Sequence, residues 1–147
     1  MPNRAIEFHD SRLDGISTDS SAVVFHFPAA YINQSAGEPG WDTGSGWVQE
    51  ARLHIADAQV TGSLAELPCD LWQGERRLDG KLFQMLPIPL EHGGTVQLDL
   101  ECVGSMRVSG TAIRAWNCFM SRCTLRRFRA IRASNCCEIA FTQLTVR

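Results

Sequence analysis

The densest chemistry in this chain sits in one glycine-rich connection, Gly37-Glu-Pro-Gly-Trp-Asp-Thr-Gly-Ser-Gly46. A carboxylate on a short loop braced by two strands can do acid–base work when a second carboxylate shares its proton, which makes Asp42 the candidate catalytic residue. The loop also carries Trp41. Indole and phenol rings offer an apolar face with a polar tip, suited to sugars and planar groups, so Tyr31, Trp41, Trp47, Gln49 and Trp72 are candidates for a stacking surface. From these the expected ligand-binding set is Tyr31, Trp41, Asp42 and Gln49. Against it stands a simpler use of the same residues: Gly40, Gly44 and Gly46 permit turns, and Asp42 can bond to its own loop's amides. Trp47 is in phase with Leu53 and Ile55 and reads as core.

Asp42-Thr-Gly-Ser45 resembles the active-site tetrapeptide of the aspartic proteases, and the chain is about the size of a subunit that would complete a two-aspartate site by dimerising. The resemblance covers those four residues only. Glu38-Pro-Gly-Trp41 stands where that family has an apolar strand. What the resemblance implies is an aspartic-type hydrolase centred on Asp42, kept as an alternative. Other constellations carry less. His9-Asp10-Ser11 holds triad residue types, but neighbours on an extended segment point to opposite faces and cannot form a relay in that order. His26 and His54 could approach each other across a hairpin, without an evident third ligand for a metal. Cys118, Cys123, Cys136 and Cys137 have the spacing C-x4-C-x12-C-C, which matches no defined zinc pattern. No metal and no cofactor is expected.

Two strand patterns must position the loop. Val23, Phe25, Phe27, Ala29 and Tyr31 alternate along the first arm, and Trp47, Gln49, Ala51, Leu53 and Ile55 along the second, so residues 23–55 read as a hairpin. Pro28 lacks an amide donor, which requires an edge position or a bulge. Ile6 and Phe8 suggest a short first strand, ended by a turn in the polar Asp10–Gly15. Trp47–Val60 reads as one strand with an ambiguous Ala-rich end. Leu64, Leu67 and Leu71 allow a short helix or a loop around Pro68. Asp79-Gly80 is a two-residue type I′ hairpin signal. Leu86-Pro-Ile-Pro-Leu90 must be extended. Val96, Leu98, Leu100 and Cys102 face one way from a clean strand, and Gly104-Ser105 turns the chain into its antiparallel partner. The expectation is a mainly β, single-domain antiparallel sandwich or barrel with little helix.

At 147 residues the chain can bury a core without staples. Its net charge of -2 hides an asymmetry: residues 1–114 hold 8 Lys/Arg against 15 Asp/Glu, whereas residues 115–147 hold 6 Arg against Glu138 alone. All 12 Gly and all 6 Pro lie in the first part, and four of the 6 Cys in the second. Back-translation gives a reason. Read from the third nucleotide of the Ala115 codon, Trp116-Asn117 forces glutamate and Asn117-Cys118 forces leucine, and the following codons permit an acidic, alternating text of the form V-E-L-L-Y-E-P-V-Y-V-E-E-I. The expected organisation is therefore a β-sandwich domain over 1–114 and an Arg/Cys-rich tail over 115–147, suspected to be a frameshift product and poorly ordered. The alternative is an authentic tail, whose Arg122, Arg126, Arg127, Arg129 and Arg132 could attract nucleic acid only nonspecifically.

No apolar run approaches the roughly 20 residues that cross a bilayer, and no signal-peptide core is present, so a cytoplasmic location with free thiols is expected. The functional expectation is a noncatalytic module that binds an unknown protein or small-molecule ligand through the Gly37–Gly46 loop, with no specific nucleic acid and no membrane as partner. The balance is against an enzyme. A structural subunit that forms a homo-oligomer through a sheet edge is the third reading.

Overall fold

A computed structural model describes residues 2–117 and the backbone of Arg126–Ala130. Most of the frame is made by β1 (Asn3–Leu13), β2 (Gly15–Asp19), β3 (Ala22–Ser35), β4 (Gly44–Ala56) and β5 (Gln59–Leu64). Short pieces follow: β6 (Cys69–Asp70), β7 (Arg76–Leu78), β8 (Lys81–Phe83) and β9 (Leu86–Pro87). Two long strands, β10 (Leu90–Cys102) and β11 (Gly104–Asn117), and the short β12 (Arg126–Ala130) complete it. No helix occurs among the described residues.

The expectation of a mainly β, antiparallel single domain holds, and the sheet is not closed into a barrel. Its order is β6-β1-β3-β4-β11-β10-β7-β8, with β2 beside β3, β9 beside β1, β5 beside β11 and β12 beside β4. The sheet coils around one core in which Phe8, Phe25, Phe27, Leu53, Ile55, Leu98 and Leu100 are fully buried. Each such side chain contributes about 1.5–3 kcal/mol by leaving water. Phe8 and Phe27 stack at 5.9 Å between centroids, holding β1 to β3.

The hairpin at residues 23–55 forms as its alternation requires, with Val23 opposite Ile55 and Ser35 opposite Gly44. Pro28 does make a bulge: the register shifts so that Pro28 and Ala29 together face Glu50. One consequence corrects the alternation. Tyr31 was expected on the face of Val23, Phe25 and Phe27, but the extra residue gives that face to Ala30 and Ile32 and turns Tyr31 to the other side. A second correction concerns β1, which does not end in a turn at Asp10. Residues 8–11 bulge against Ala30 and the strand resumes at Arg12. Asp10 takes a positive φ of 66°, and the buried Ser11 Oγ accepts the Tyr31 amide at 2.8 Å while donating to the Glu7 carbonyl.

Farther along, the chain breaks at Asp57, whose φ is 48°, so the expected strand over 47–60 is two strands. The Asp57 carboxylate accepts from Thr111 Oγ1 at 2.6 Å and Ser21 Oγ at 3.1 Å, which lowers its pKa. Between Leu64 and Leu71 there is no helix. Asp79 and Gly80 have φ of 49° and 79° and join β7 to β8 in the expected two-residue turn. β11 runs through the composition boundary at residue 115 as far as Asn117, opposite Ala51. Apart from that strand end and the backbone of β12, paired with Ser45–Val48 of β4, the tail expected to be a frameshift product lies outside the described residues.

The two ends of the sheet are joined by a crossing segment, Leu71–Glu75, that runs from β6 to β7. On one side Leu71 exchanges backbone hydrogen bonds with β1, accepting from Asp10 N at 3.1 Å and donating to Ser11 O at 2.9 Å. On the other, Trp72 N donates to Glu101 O at 2.8 Å, and Glu101 N and Asp99 N donate to Gln73 O and Glu75 O at 3.1 and 2.8 Å. A seam therefore replaces the ladder that would close a barrel.

Candidate functional site

The Gly37–Gly46 loop is built around its own aspartate. Trp41 N and Asp42 N donate to Glu38 O at 3.2 and 2.9 Å, and Asp42 Oδ2 accepts the Glu38 amide. Gly37 leaves room for that carboxylate, since a Cβ there would lie 2.0 Å from Asp42 Oδ2. Gly40, at a φ of 87°, is overlaid by Met85, whose Cε would sit 2.2 Å from a Cβ. The Asp42 carboxylate is thus committed to holding the turn, the structural use that glycine spacing and Asx chemistry allow. The turn lifts Trp41 out of the surface, 72% exposed.

The Trp41 ring lines a cleft of about 830 Å³ on the outer side of the seam. The crossing segment also lines it, with Leu71 buried in the core and Trp72 59% exposed. Strand alternation supplies the rest. With Ile6 and Phe8 buried, Glu7 faces outward from β1; with Leu98 and Leu100 buried, Asp99 and Glu101 face outward from β10. Arg107 comes from β11, and Gln84 and Met85 from the connection after β8.

The charged groups in and around this cleft hold one another. Arg107 grips Asp99 in a two-pronged pair, Nε–Oδ1 at 2.7 Å and Nη2–Oδ2 at 3.1 Å, which raises the guanidinium pKa. Glu101 Oε2 accepts from Gln73 Nε2 at 2.7 Å, Glu75 Oε2 from Arg77 at 3.0 Å, and Glu7 Oε2 from the buried Asn33 at 2.9 Å. Arg76 lies over the Phe8 ring at 4.8 Å and donates Nε–H to Phe83 O at 3.2 Å; burial lowers its pKa, opposed by the charge of Glu7.

The four expected ligand-binding residues are not brought together. Trp41 is at the cleft, and Asp42 is turned into its own loop. Tyr31 and Gln49 are buried at 7% and 3% exposure, with Gln49 Oε1 accepting from Asn117 Nδ2 at 2.8 Å. Trp47 is buried and donates Nε1–H to Ser45 Oγ at 2.7 Å. His9 pairs with Asp10, while Ser11 fills the β1 bulge, so the three do not form a relay. His26 lies opposite Arg52, and His54 opposite Val24. His26 meets two carboxylates, Nδ1 to Asp14 Oδ1 at 2.6 Å and Nε2 to Glu50 Oε1 at 3.0 Å. Partial burial pulls its pKa down, but the hydrogen bonds and charges of Glu50 and Asp14 outweigh it and the net shift is upward. Among the described residues no group of three or more His, Cys, Asp or Glu side chains is arranged to hold a metal.

Trp72 stood beside Trp41 among the stacking candidates of the sequence but not in the expected ligand-binding set. Sequence reasoning passed over Glu7, Gln73, Asp99, Glu101 and Arg107. The outward alternation of Asp99 and Glu101 was visible, yet the segment that crosses in front of them is more than 20 residues earlier and has no periodicity of its own. Comparison with protein-family models, curated proteins and solved structures returned no match.

Proposed function

We propose that this protein is a noncatalytic binding module that takes a neutral saccharide in the cleft between Trp41 and Trp72. The observation that carries the reading is the pair of exposed indole rings, presented by two separate segments on one polar cleft. A sugar ring has apolar C–H faces that stack on indole and an equator of hydroxyls that both donate and accept. Gln73, Gln84, Glu101 and Arg107 supply amide, carboxylate and guanidinium groups around the rings. The ligand is argued to be neutral because Glu7, Glu75, Asp99 and Glu101 each already have a donor within the protein. A cationic ligand would have to break those pairs. The hydrolase alternative gains nothing from Asp42, whose carboxylate secures the Glu38 amide.

Intrinsic fluorescence titration against a panel of neutral oligosaccharides tests the proposal. Trp41→Ala and Trp72→Ala should each weaken binding about fivefold or more, since a stacked ring and its buried area are together worth upwards of about 1 kcal/mol. Absence of binding across the panel, or affinity unchanged in both variants, would refute it. A cytoplasmic location belongs with this proposal, whereas a structural subunit assembling through a sheet edge is the separate third reading, which sedimentation at several concentrations tests. Among the described residues no helix is long and apolar enough to cross a membrane.

A further inference from the structure

Two thiols meet on the core side of the seam. Cys69 opens β6, where it pairs with Leu13 of β1, and Cys102 closes β10. Both sulfurs are free; Cys69 is half-buried and packs against the core, and Cys102 is within it. The Cys69 side chain neighbours that of Cys102, whose thiol donates to Val103 O at 3.7 Å. Backbone bonds on either side of the pair hold the two segments together, Ala65 N to Val103 O at 2.7 Å and Trp72 N to Glu101 O at 2.8 Å. Cysteines that neighbour each other on segments whose backbones are tied on both sides are placed for a disulfide between those segments.

We infer that Cys69 and Cys102 are the two halves of a reversible disulfide that staples β6 to the end of β10 across the seam. The oxidant is a low-molecular-weight disulfide such as oxidised glutathione. Cys69, the more accessible thiol, attacks as thiolate on one glutathione sulfur, forming a mixed disulfide and expelling one glutathione thiolate. Cys102 then loses its proton, attacks Cys69 Sγ and expels the second. Two protein thiols are oxidised, one glutathione disulfide is reduced to two thiols, and an excess of reduced glutathione runs the exchange backward. Burial, the Cys102 contact and the charge of Asp70 push the Cys69 thiol up to about 12, so the entering thiolate is scarce near neutrality and the reaction is slow there. The link closes next to Trp72 and Glu101 but does not depend on what the cleft binds.

The test is peptide mapping of the full chain after incubation with oxidised glutathione at mildly alkaline pH. Trypsin releases Cys69 in the peptide Leu53–Arg76 and Cys102 in Leu82–Arg107. The expected product is these two peptides joined, at the sum of their masses less two hydrogens, and separated again by reduction. It should persist when Cys118, Cys123, Cys136 and Cys137 are all replaced by Ser, and be absent from Cys69→Ser. Recovery of Cys69 as a lasting glutathione adduct with Cys102 still a thiol would overturn the inference. So would linkage of either cysteine to the tail, or two unreacted thiols. The wild-type map decides the matter even if a variant fails to fold.

Discussion

At the scale of single residues, one buried and one partly buried polar group hold neighbouring strands together and can be tested by substitution. Ser11 is completely buried and is the acceptor for the Tyr31 amide. Ser11→Ala leaves that donor without water and should cost about 1–3 kcal/mol in denaturant unfolding, whereas an unimportant hydroxyl would cost almost nothing. His26 gives a pH dependence. Its folded-state pKa is raised above the unfolded 6.5 by Glu50 and Asp14 after part of the gain is offset by burial. A raised pKa means that the protonated ring stabilises the fold fully below about pH 6.5 and that this contribution is lost as pH climbs through the folded value. Because the ring is partly in solvent, the effect is worth at most about 1 kcal/mol. Unfolding midpoints of the wild type should therefore fall through that window relative to His26→Gln; parallel pH profiles would rule the linkage out. Asp42 shows how far a residue motif can mislead. The four letters Asp-Thr-Gly-Ser are compatible with catalysis, but the surrounding glycines bring the carboxylate onto its own turn.

At the scale of elements, the parts legible in the sequence are those whose pairing is local. The hairpin of β3 and β4, the Asp79-Gly80 turn and the β10–β11 pair each join neighbouring segments, so alternation and turn chemistry suffice to find them. Pro28 announced a bulge but not its effect on phase, and Tyr31 was assigned to the wrong face for that reason. In β1 the polar Asp10-Ser11 looks like a turn because positive φ and short hydroxyl side chains serve turns and bulges alike. The crossing segment was illegible. Its strandlike contacts are to β1 on one side and β10 on the other, and Gly74 marks the second approach: a Cβ there would lie 1.8 Å from the Asp99 carbonyl oxygen. Gly74→Ala should lift the segment from β10 and speed amide hydrogen exchange at Asp99 and Glu101, which donate to Glu75 and Gln73. Amides of the β3–β4 ladder should keep their protection. Equal exchange at Asp99 and Glu101 before and after the change would show that the seam does not rely on this close approach.

At the scale of the whole molecule, one coiled sheet brings a loop near residue 41 and a segment near residue 72 to the same opening, and no short-range pattern could foretell it. The fold class followed from strand count and turn spacing; the cleft followed from how the ends of the sheet meet. That geometry explains why the expected set of Tyr31, Trp41, Asp42 and Gln49 divides as it does, two side chains going inward, one closing its own turn and one reaching solvent. It also explains why Trp72 lines the same cleft as Trp41 despite a separation of 31 positions in the chain. In the proposed function these two rings hold one ligand. The most direct measurement follows the indole N–H signals of the four tryptophans by NMR during titration with a neutral oligosaccharide that the protein binds. The Trp41 and Trp72 signals should shift together with one midpoint while that of the buried Trp47 stays in place. Shifts at only one of the two rings, or at both with different midpoints, would contradict it.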